Sequence, residues 1–148
     1  MTSQFEIPNK MAKLLLLLIS TIGFFYIAKA DTIDYWHVYY NNTKIKEYNQ
    51  YSKGEIVLKV KNIKKTDSLT ILFFRDTPCS DCKTEVNVEN ESHFVITKGK
   101  GYGTFNPIKI SVFDLLLKAD RDFSCVYYQE RDETETTPKV LLFKVKLE

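Results

Sequence analysis

The chain has 148 residues, of which 44% are hydrophobic and 27% are charged. A chain of this length supports one modest hydrophobic core. The basic and acidic residues number 21 and 19, which gives a formal net charge of +2. Such a balance gives no electrostatic reason to expect nucleic-acid binding, which requires clustered lysine and arginine.

Residues 1–30 are predicted to be a polar leader followed by a secretory signal peptide. The positive charge of Lys13 precedes an apolar run of about 15 residues, and the small residues Ala28 and Ala30 close it. A membrane-spanning helix needs roughly 20 apolar residues. We therefore expect cleavage after Ala30 and no stable membrane insertion afterwards; an uncleaved anchor is the alternative.

Cleavage would leave residues 31–148 as a single domain. The removed segment carries three lysines and one glutamate, so the remaining chain has equal numbers of acidic and basic side chains. The expected location is outside the cytoplasm, in the periplasm, on the outer surface or in the medium.

Short β-rich segments with a period of two follow one another along the rest of the chain. This alternation, with one apolar and one polar side, is typical of strands in antiparallel sheets. The predicted strands are Tyr35–Tyr40, Lys44–Tyr48, Glu55–Lys61, Ser68–Arg75, Thr84–Glu89, Ser92–Thr97, Phe105–Ile110, Phe123–Glu130 and Lys139–Leu147.

Two segments depart from the strand pattern. Gly99, Gly101 and Gly103 indicate a hairpin loop or bulge, because glycine supplies backbone freedom. A short helix is predicted at Ser111–Ala119, where Ser111 is a suitable N-cap and an acidic residue occupies the first turn.

This order of elements predicts an all-β fold. We expect an antiparallel β-sandwich, similar to an immunoglobulin domain without its cysteine signature, with one short helix. A small β-barrel is the alternative.

Cys79 and Cys82 form a C-x-x-C unit between two predicted strands. An oxidising compartment favours a structural disulfide between them, with a small stabilisation because the closed loop is short. Cys125 alternates with aromatic neighbours on a strand, which predicts a buried, inert thiol.

A redox site is the first alternative for the cysteine pair. The segment Thr70–Lys83 resembles the active-site segment of thioredoxin-like proteins, and Pro138–Lys144 resembles their proline-plus-strand segment. This resemblance implies that Cys79 attacks and Cys82 resolves. The chemistry requires a helix that begins at Cys79, whereas the following residues alternate as a strand.

A metal site is the second alternative. Cys79, Cys82, His93 and Cys125 could supply four zinc ligands. One C-x-x-C without a second paired unit has little specificity, so the expectation is that the protein carries neither a metal nor another cofactor.

The best binding candidate is the aromatic cluster at the start of the domain. Strand alternation places Tyr35, His37 and Tyr39 on one face, and Trp36 and Tyr40 on the other. One face should belong to the core, and the other could expose rings to a protein or a carbohydrate. Packing of both sets within the fold is the alternative.

The polar residues give no convergent catalytic pattern. His37 and His93 are expected to be partly exposed strand residues, and Glu85 and Glu89 to lie on the solvent side of a strand. With its signal segment and single C-x-x-C, the chain resembles small exported proteins of unknown function from Gram-negative bacteria such as the Bacteroidetes. The expected function is therefore non-enzymatic binding or scaffolding outside the cytoplasm.

Overall fold

A computed structural model describes most of the chain after residue 32. The described residues are Lys10, Lys13, 33–119, 123–131 and 137–148. The chain divides into two compact units, residues 1–31 and residues 32–148, and the architecture below belongs to the second. Apart from the two lysines, the predicted signal peptide lies outside the described residues. Within the described part, no helix has the length and apolar character needed to span a membrane.

The described residues of the second unit form nine strands and one short α-helix. In chain order they are β1 (Tyr35–Tyr40), β2 (Thr43–Asn49), β3 (Glu55–Leu58), β4 (Ser68–Phe74), β5 (Lys83–Glu89), β6 (Val95–Tyr102), β7 (Ile108–Ser111), α1 (Val112–Lys118), β8 (Ser124–Arg131) and β9 (Val140–Leu147). The first sheet has the order β2-β1-β4-β7, and the second sheet has the order β3-β9-β8-β5-β6.

The two sheets pack face to face as a β-sandwich, so the predicted fold class is confirmed. Neighbouring strands pair antiparallel, except that β3 runs parallel to β9. Constant immunoglobulin domains place the first, second, fourth and fifth strands in one sheet. Here β1, β2, β4 and β7 share a sheet. The likeness to immunoglobulin domains is therefore one of architecture, and the connectivity differs.

Alternating side chains on the strands build the core between the sheets. On β1, Trp36 and Val38 are fully buried, whereas Tyr35, His37 and Tyr39 point to the other side. The Trp36 ring packs on Tyr48 and Phe73, with ring centroids 6.4 and 6.0 Å away. Burial of one face per strand fixes the register, because a slip by one residue would expose this entire set.

The structure corrects the bounds of several predicted strands. The strand expected from Ser92 begins at Val95, and the strand expected from Phe105 begins at Ile108. Strand β6 continues through Gly99 and Gly101, where a loop was expected. A Cβ atom at Gly99 would lie 2.5 Å from the carbonyl oxygen of Lys109 on β7, so glycine allows the edges of the two sheets to approach closely. The third strand ends at Leu58, earlier than predicted, and a short 3₁₀ turn follows at Val60–Asn62.

The predicted helix is confirmed within one residue at each end. Its N-cap is Ser111, whose hydroxyl oxygen accepts a hydrogen bond from the backbone N–H of Asp114 over 3.1 Å. Val112 and Leu115 are fully buried. The local capping signal and one apolar side are enough to specify this short element.

Candidate binding site

The outer face of the first sheet carries a row of aromatic side chains. Tyr35 is 38% exposed, and His37 and Tyr39 beside it are half-buried. Trp36 does not belong to this row, because it lies in the core with no exposed surface. Tyr40 also lies on the inner side, where its hydroxyl donates a hydrogen bond to Asp67. The structure therefore divides the predicted aromatic cluster between a surface and an interior.

Phe74 on β4 extends the row across the strand boundary. It is the register partner of Tyr35, and the two rings stack with centroids 4.6 Å apart and planes inclined by 6°. The His37 ring lies 4.8 Å from Phe74 at an angle of 56°. Cross-strand aromatic pairs of this kind stabilise the sheet surface on which they lie.

Phe105 completes the group from the loop between β6 and β7. Its ring centroid lies 5.7 Å from that of Phe74, and 43% of the residue is exposed. We call Tyr35, His37, Tyr39, Phe74 and Phe105 the aromatic face. A shallow cavity of about 480 Å³ lies beside it, lined by Ile33, Tyr35, Phe74, Arg75, Asp76 and Phe105.

The backbone at Phe105 has an unusual conformation. Its φ angle is 70°, in the left-handed region that costs non-glycine residues roughly 1–2 kcal/mol. The backbone N–H of Phe105 donates to the carbonyl of Phe73, and that of Thr104 donates to the carbonyl of Cys79. Such backbone strain persists only where surrounding contacts hold it, and it occurs often at binding sites.

The cysteine pair braces the loop that carries Phe105. The Sγ atoms of Cys79 and Cys82 lie at bonding distance, with Cα atoms 5.8 Å apart, as the predicted disulfide requires. Both cysteine carbonyls accept hydrogen bonds from the turn, one from Gly103 and one from Thr104, each over 2.8 Å. The disulfide loop and the turn before Phe105 therefore form one connected unit.

A buried polar cluster lies at the inner side of this unit. Glu130, at the end of β8, is 5% exposed. Its carboxylate pairs with Arg75 and accepts hydrogen bonds from the hydroxyls of Tyr128 (2.9 Å) and Thr104 (3.4 Å). Burial, and then the contact with Glu130, raises the pKa of the Tyr128 phenol. Three donors thus satisfy a carboxylate that burial alone would destabilise.

The segment after Cys82 lacks the helix that the thioredoxin-like resemblance implies. Strand β5 begins at Lys83, so an extended backbone occupies the position where that resemblance requires a helix.

The proposed four-ligand zinc set is wrong in its composition. Cys125 is the register partner of Glu89 on the second sheet, and His93 lies beside the same glutamate, 3.6 Å from its carboxylate. The structure instead brings Cys79 and Cys82 together with Glu130.

Three further expectations about the second sheet are corrected. His93 precedes β6 instead of lying on a strand, and its side chain is 78% exposed. Cys125 is half-buried, not fully buried. Glu89 is 2% exposed, although it lies on the outer side of β5; it pairs with Lys139, whose ammonium group lies 5.8 Å from the Tyr127 ring centre. Glu85 is also only partly exposed.

A further cavity opens between strands β2 and β3. It has a volume of about 790 Å³. Its apolar lining includes Ile45, Ile56 and Leu58, and Lys46 and Lys59 also contribute. This groove is a second concave surface, between the edge strands β2 and β3 of the two sheets.

Sequence reasoning identified part of the aromatic face and missed the rest. Phe74 lies in the predicted strand Ser68–Arg75, and only the register with β1 shows which residues of this strand face outwards. Phe105 follows the glycine-rich segment, where the sequence carries no signal for an exposed ring. No protein-family model matches the chain, and the comparisons with curated proteins and with solved structures give no significant match.

Proposed function

We propose that this protein is an exported, non-enzymatic binding module whose aromatic face contacts a partner protein. The observation that carries the proposal is the continuous group of partly exposed rings formed by Tyr35, Phe74 and Phe105, with a shallow cavity beside it. Aromatic side chains are enriched in protein interfaces and supply much of the binding energy there.

The arrangement of the rings favours a protein over a carbohydrate. Tyr35 and Phe74 stack on each other at 4.6 Å, so each covers one face of the other. A sugar ring stacks on an open aromatic face, whereas the side chains of a protein can pack into the gaps beside rings. Arg75 and Asp76 line the same cavity and provide polar contacts at its edge, as in the rim of a protein interface.

The export part of the proposal is supported by the signal-like segment of residues 13–30 and by the disulfide pair. Mass spectrometry of the protein isolated from the cells that produce it tests this point. A mature N-terminus at Asp31 is expected. An intact N-terminus on protein recovered from the cytoplasm would contradict export.

Binding is tested by comparing the wild type with Tyr35→Ser and Phe74→Ser. Each immobilised protein is exposed to the exported fraction of the producing cells, and a candidate protein is then purified and titrated. The expected result is a dissociation constant at least about tenfold weaker for both variants, since interface aromatic residues commonly contribute more than 1 kcal/mol.

The matched control is Lys144→Ser, on the outer side of the second sheet. It should leave the affinity unchanged. Equal loss of affinity in the control would remove the aromatic face as the binding surface. A glycan array run in parallel separates the alternatives: binding of a glycan by the wild type, lost in Tyr35→Ser, would replace the partner protein with a carbohydrate.

A further inference from the structure

Three potential metal ligands meet at the braced end of the sandwich. The Sγ atoms of Cys79 and Cys82 and a carboxylate oxygen of Glu130 all lie within 4.8 Å of one another. Cys82 and Glu130 are almost fully buried. In the oxidised protein the two sulfurs are bonded to each other, so neither is available to an ion.

Reduction changes the chemistry of this group. A dithiol reductant supplies two electrons and two protons, breaks the S–S bond, and leaves thiols on Cys79 and Cys82 while the reductant becomes a cyclic disulfide. Thiolates and carboxylates are ordinary zinc ligands, and a C-x-x-C spacing is common in zinc sites.

We propose that the reduced protein binds one zinc ion through Cys79, Cys82 and Glu130. Zinc–sulfur and zinc–oxygen bonds of about 2.3 and 2.1 Å place tetrahedral ligand atoms about 3.5–3.8 Å apart. The three ligand atoms lie within 4.8 Å of one another, so displacements of about 1 Å would bring them to this spacing. The site is redox-controlled, because the disulfide and the metal use the same sulfurs.

Charge balance supports the same ligand set. Two thiolates and one carboxylate carry three negative charges, and zinc with the guanidinium of Arg75 supplies three positive charges. Arg75 already pairs with the carboxylate of Glu130, so a neutral group would occupy this buried position. Formation of the thiolates releases two protons to solvent.

The surroundings provide access and orientation. A cavity of about 390 Å³ reaches Cys79 and Thr104 from outside and leaves room for a water molecule as the fourth ligand. The Thr104 hydroxyl lies 3.4 Å from both the Cys79 Sγ and the Glu130 carboxylate. Partners of this kind orient metal ligands.

Cobalt titration tests the proposal on the full-length protein. After reduction with a phosphine and anaerobic removal of the reductant, one equivalent of Co²⁺ should produce a thiolate-to-cobalt absorption band that Zn²⁺ abolishes. The oxidised protein should give no band, and Cys125→Ser should behave as the wild type. A band in the oxidised protein, or its loss in Cys125→Ser, would overturn the proposal.

Thiol protection provides a second readout without any variant of the site. Zn²⁺ should slow alkylation of Cys79 and Cys82 at least about tenfold, measured by mass spectrometry, because bound thiolates react slowly. Cys125 should react at the same rate with and without zinc. Protection of all three thiols, or of none, contradicts the assigned ligands.

The carboxylate ligand is tested with Glu130→Gln. Zinc affinity should fall at least about tenfold, whereas Glu85→Gln, on the outer side of β5, should leave it unchanged. If Glu130→Gln fails to fold, ¹¹³Cd NMR of the reduced wild type gives the donor set directly. A shift typical of two sulfurs with oxygen donors supports the site, and one typical of sulfur-only coordination refutes it.

Discussion

The outer faces of the two sheets follow the same alternation and carry opposite chemistry. On the first sheet, Tyr35 and Phe74 leave part of their rings exposed. On the second sheet, Glu89 lies on the outer side and is nevertheless 2% exposed, because Lys139 covers it and pairs with its carboxylate. Around Glu89, the outer side of the second sheet is therefore covered by its own side chains, whereas the rings of the aromatic face remain partly exposed.

This difference indicates which surface is available to a partner. Around Glu89, each long side chain already has an intramolecular role: Lys139 lies over Tyr127 at 5.8 Å, and His93 lies 3.6 Å from the carboxylate. Phe105, in contrast, packs on Phe74 and still leaves 43% of its surface exposed. The exposed rings are therefore the surface to which we assign the proposed partner.

The largest expected effect comes from a comparison of two neighbouring residues of β1, one in the core and one on the aromatic face. Trp36→Ala should lower the free energy of unfolding by about 3–5 kcal/mol, because it opens a cavity in the core. Tyr35→Ala should lower it by less than about 1 kcal/mol while weakening partner binding. Urea denaturation of both variants gives the two values. Comparable losses of stability would show that Tyr35 serves packing.

The alternation behind that test could be predicted from sequence, because it is local. Trp36 and Val38 occupy one parity of β1 and Tyr35 and His37 the other, and both sets are visible in six residues. The same is true of Ser111, whose capping contact reaches only three residues along the chain. Local patterns of this kind carry their own structural information.

The remaining features depend on contacts between distant parts of the chain. Glu89 is buried by a lysine fifty residues away, and Glu130 meets Arg75 over a separation of 55. Gly99 continues β6 because it pairs with Val86 on β5, and the nearby backbone of Lys109 leaves no room for a side chain there. A sequence shows these residues but not their partners, so the candidate zinc ligand Glu130 and the exposed ring of Phe105 could not be assigned.

The second prediction concerns the covered charge on the second sheet. Lys139→Met should cost about 2 kcal/mol, since it leaves the buried Glu89 carboxylate without its main partner. Glu89→Gln should cost less, because Lys139 is 44% exposed and can return to water. Thermal unfolding of both variants measures the asymmetry.

An exposed ion pair on the first sheet provides a control for the effect of burial. Lys44 lies 2.5 Å from Glu47, which is 55% exposed, so Glu47→Gln should leave stability almost unchanged. If Glu89→Gln lowers stability more than Lys139→Met, then burial of the Glu89 carboxylate is not the dominant cost. The energetic difference between the outer sides of the two sheets would then be contradicted.

The third prediction isolates the strain at Phe105. Phe105→Gly and Phe105→Ala both remove the ring and should weaken partner binding equally. Glycine adopts a φ of 70° freely, so the glycine variant should be more stable than the alanine variant by about 1 kcal/mol. Tyr102, an exposed residue of β6, is the control: there alanine should be the more stable of the two. The same preference at both positions would exclude left-handed strain at Phe105.

The smallest effect concerns the inner end of β1, where a hydrogen bond replaces apolar packing. The Tyr40 hydroxyl donates to Asp67, and this contact, with the backbone N–H of Lys64, holds the pKa of the Asp67 carboxyl below its usual range. A carboxyl whose pKa is lower in the folded state stabilises the fold above its ordinary pKa, and this contribution disappears as the pH falls through the folded value. Burial, together with the same carboxylate, raises the pKa of Tyr40 to about 12.

Tyr40→Phe should therefore flatten the pH dependence of stability at both ends. Between about pH 5 and pH 2 the wild type should lose more stability than the variant, because protonation of Asp67 breaks a contact that the variant lacks. Between about pH 10 and pH 12 the wild type should again lose more, because the unfolded chain releases the Tyr40 proton first. The midpoints of urea unfolding, measured for both proteins across both pH ranges, test this prediction. Parallel curves would show that the Tyr40–Asp67 hydrogen bond contributes nothing to the stability of the folded state.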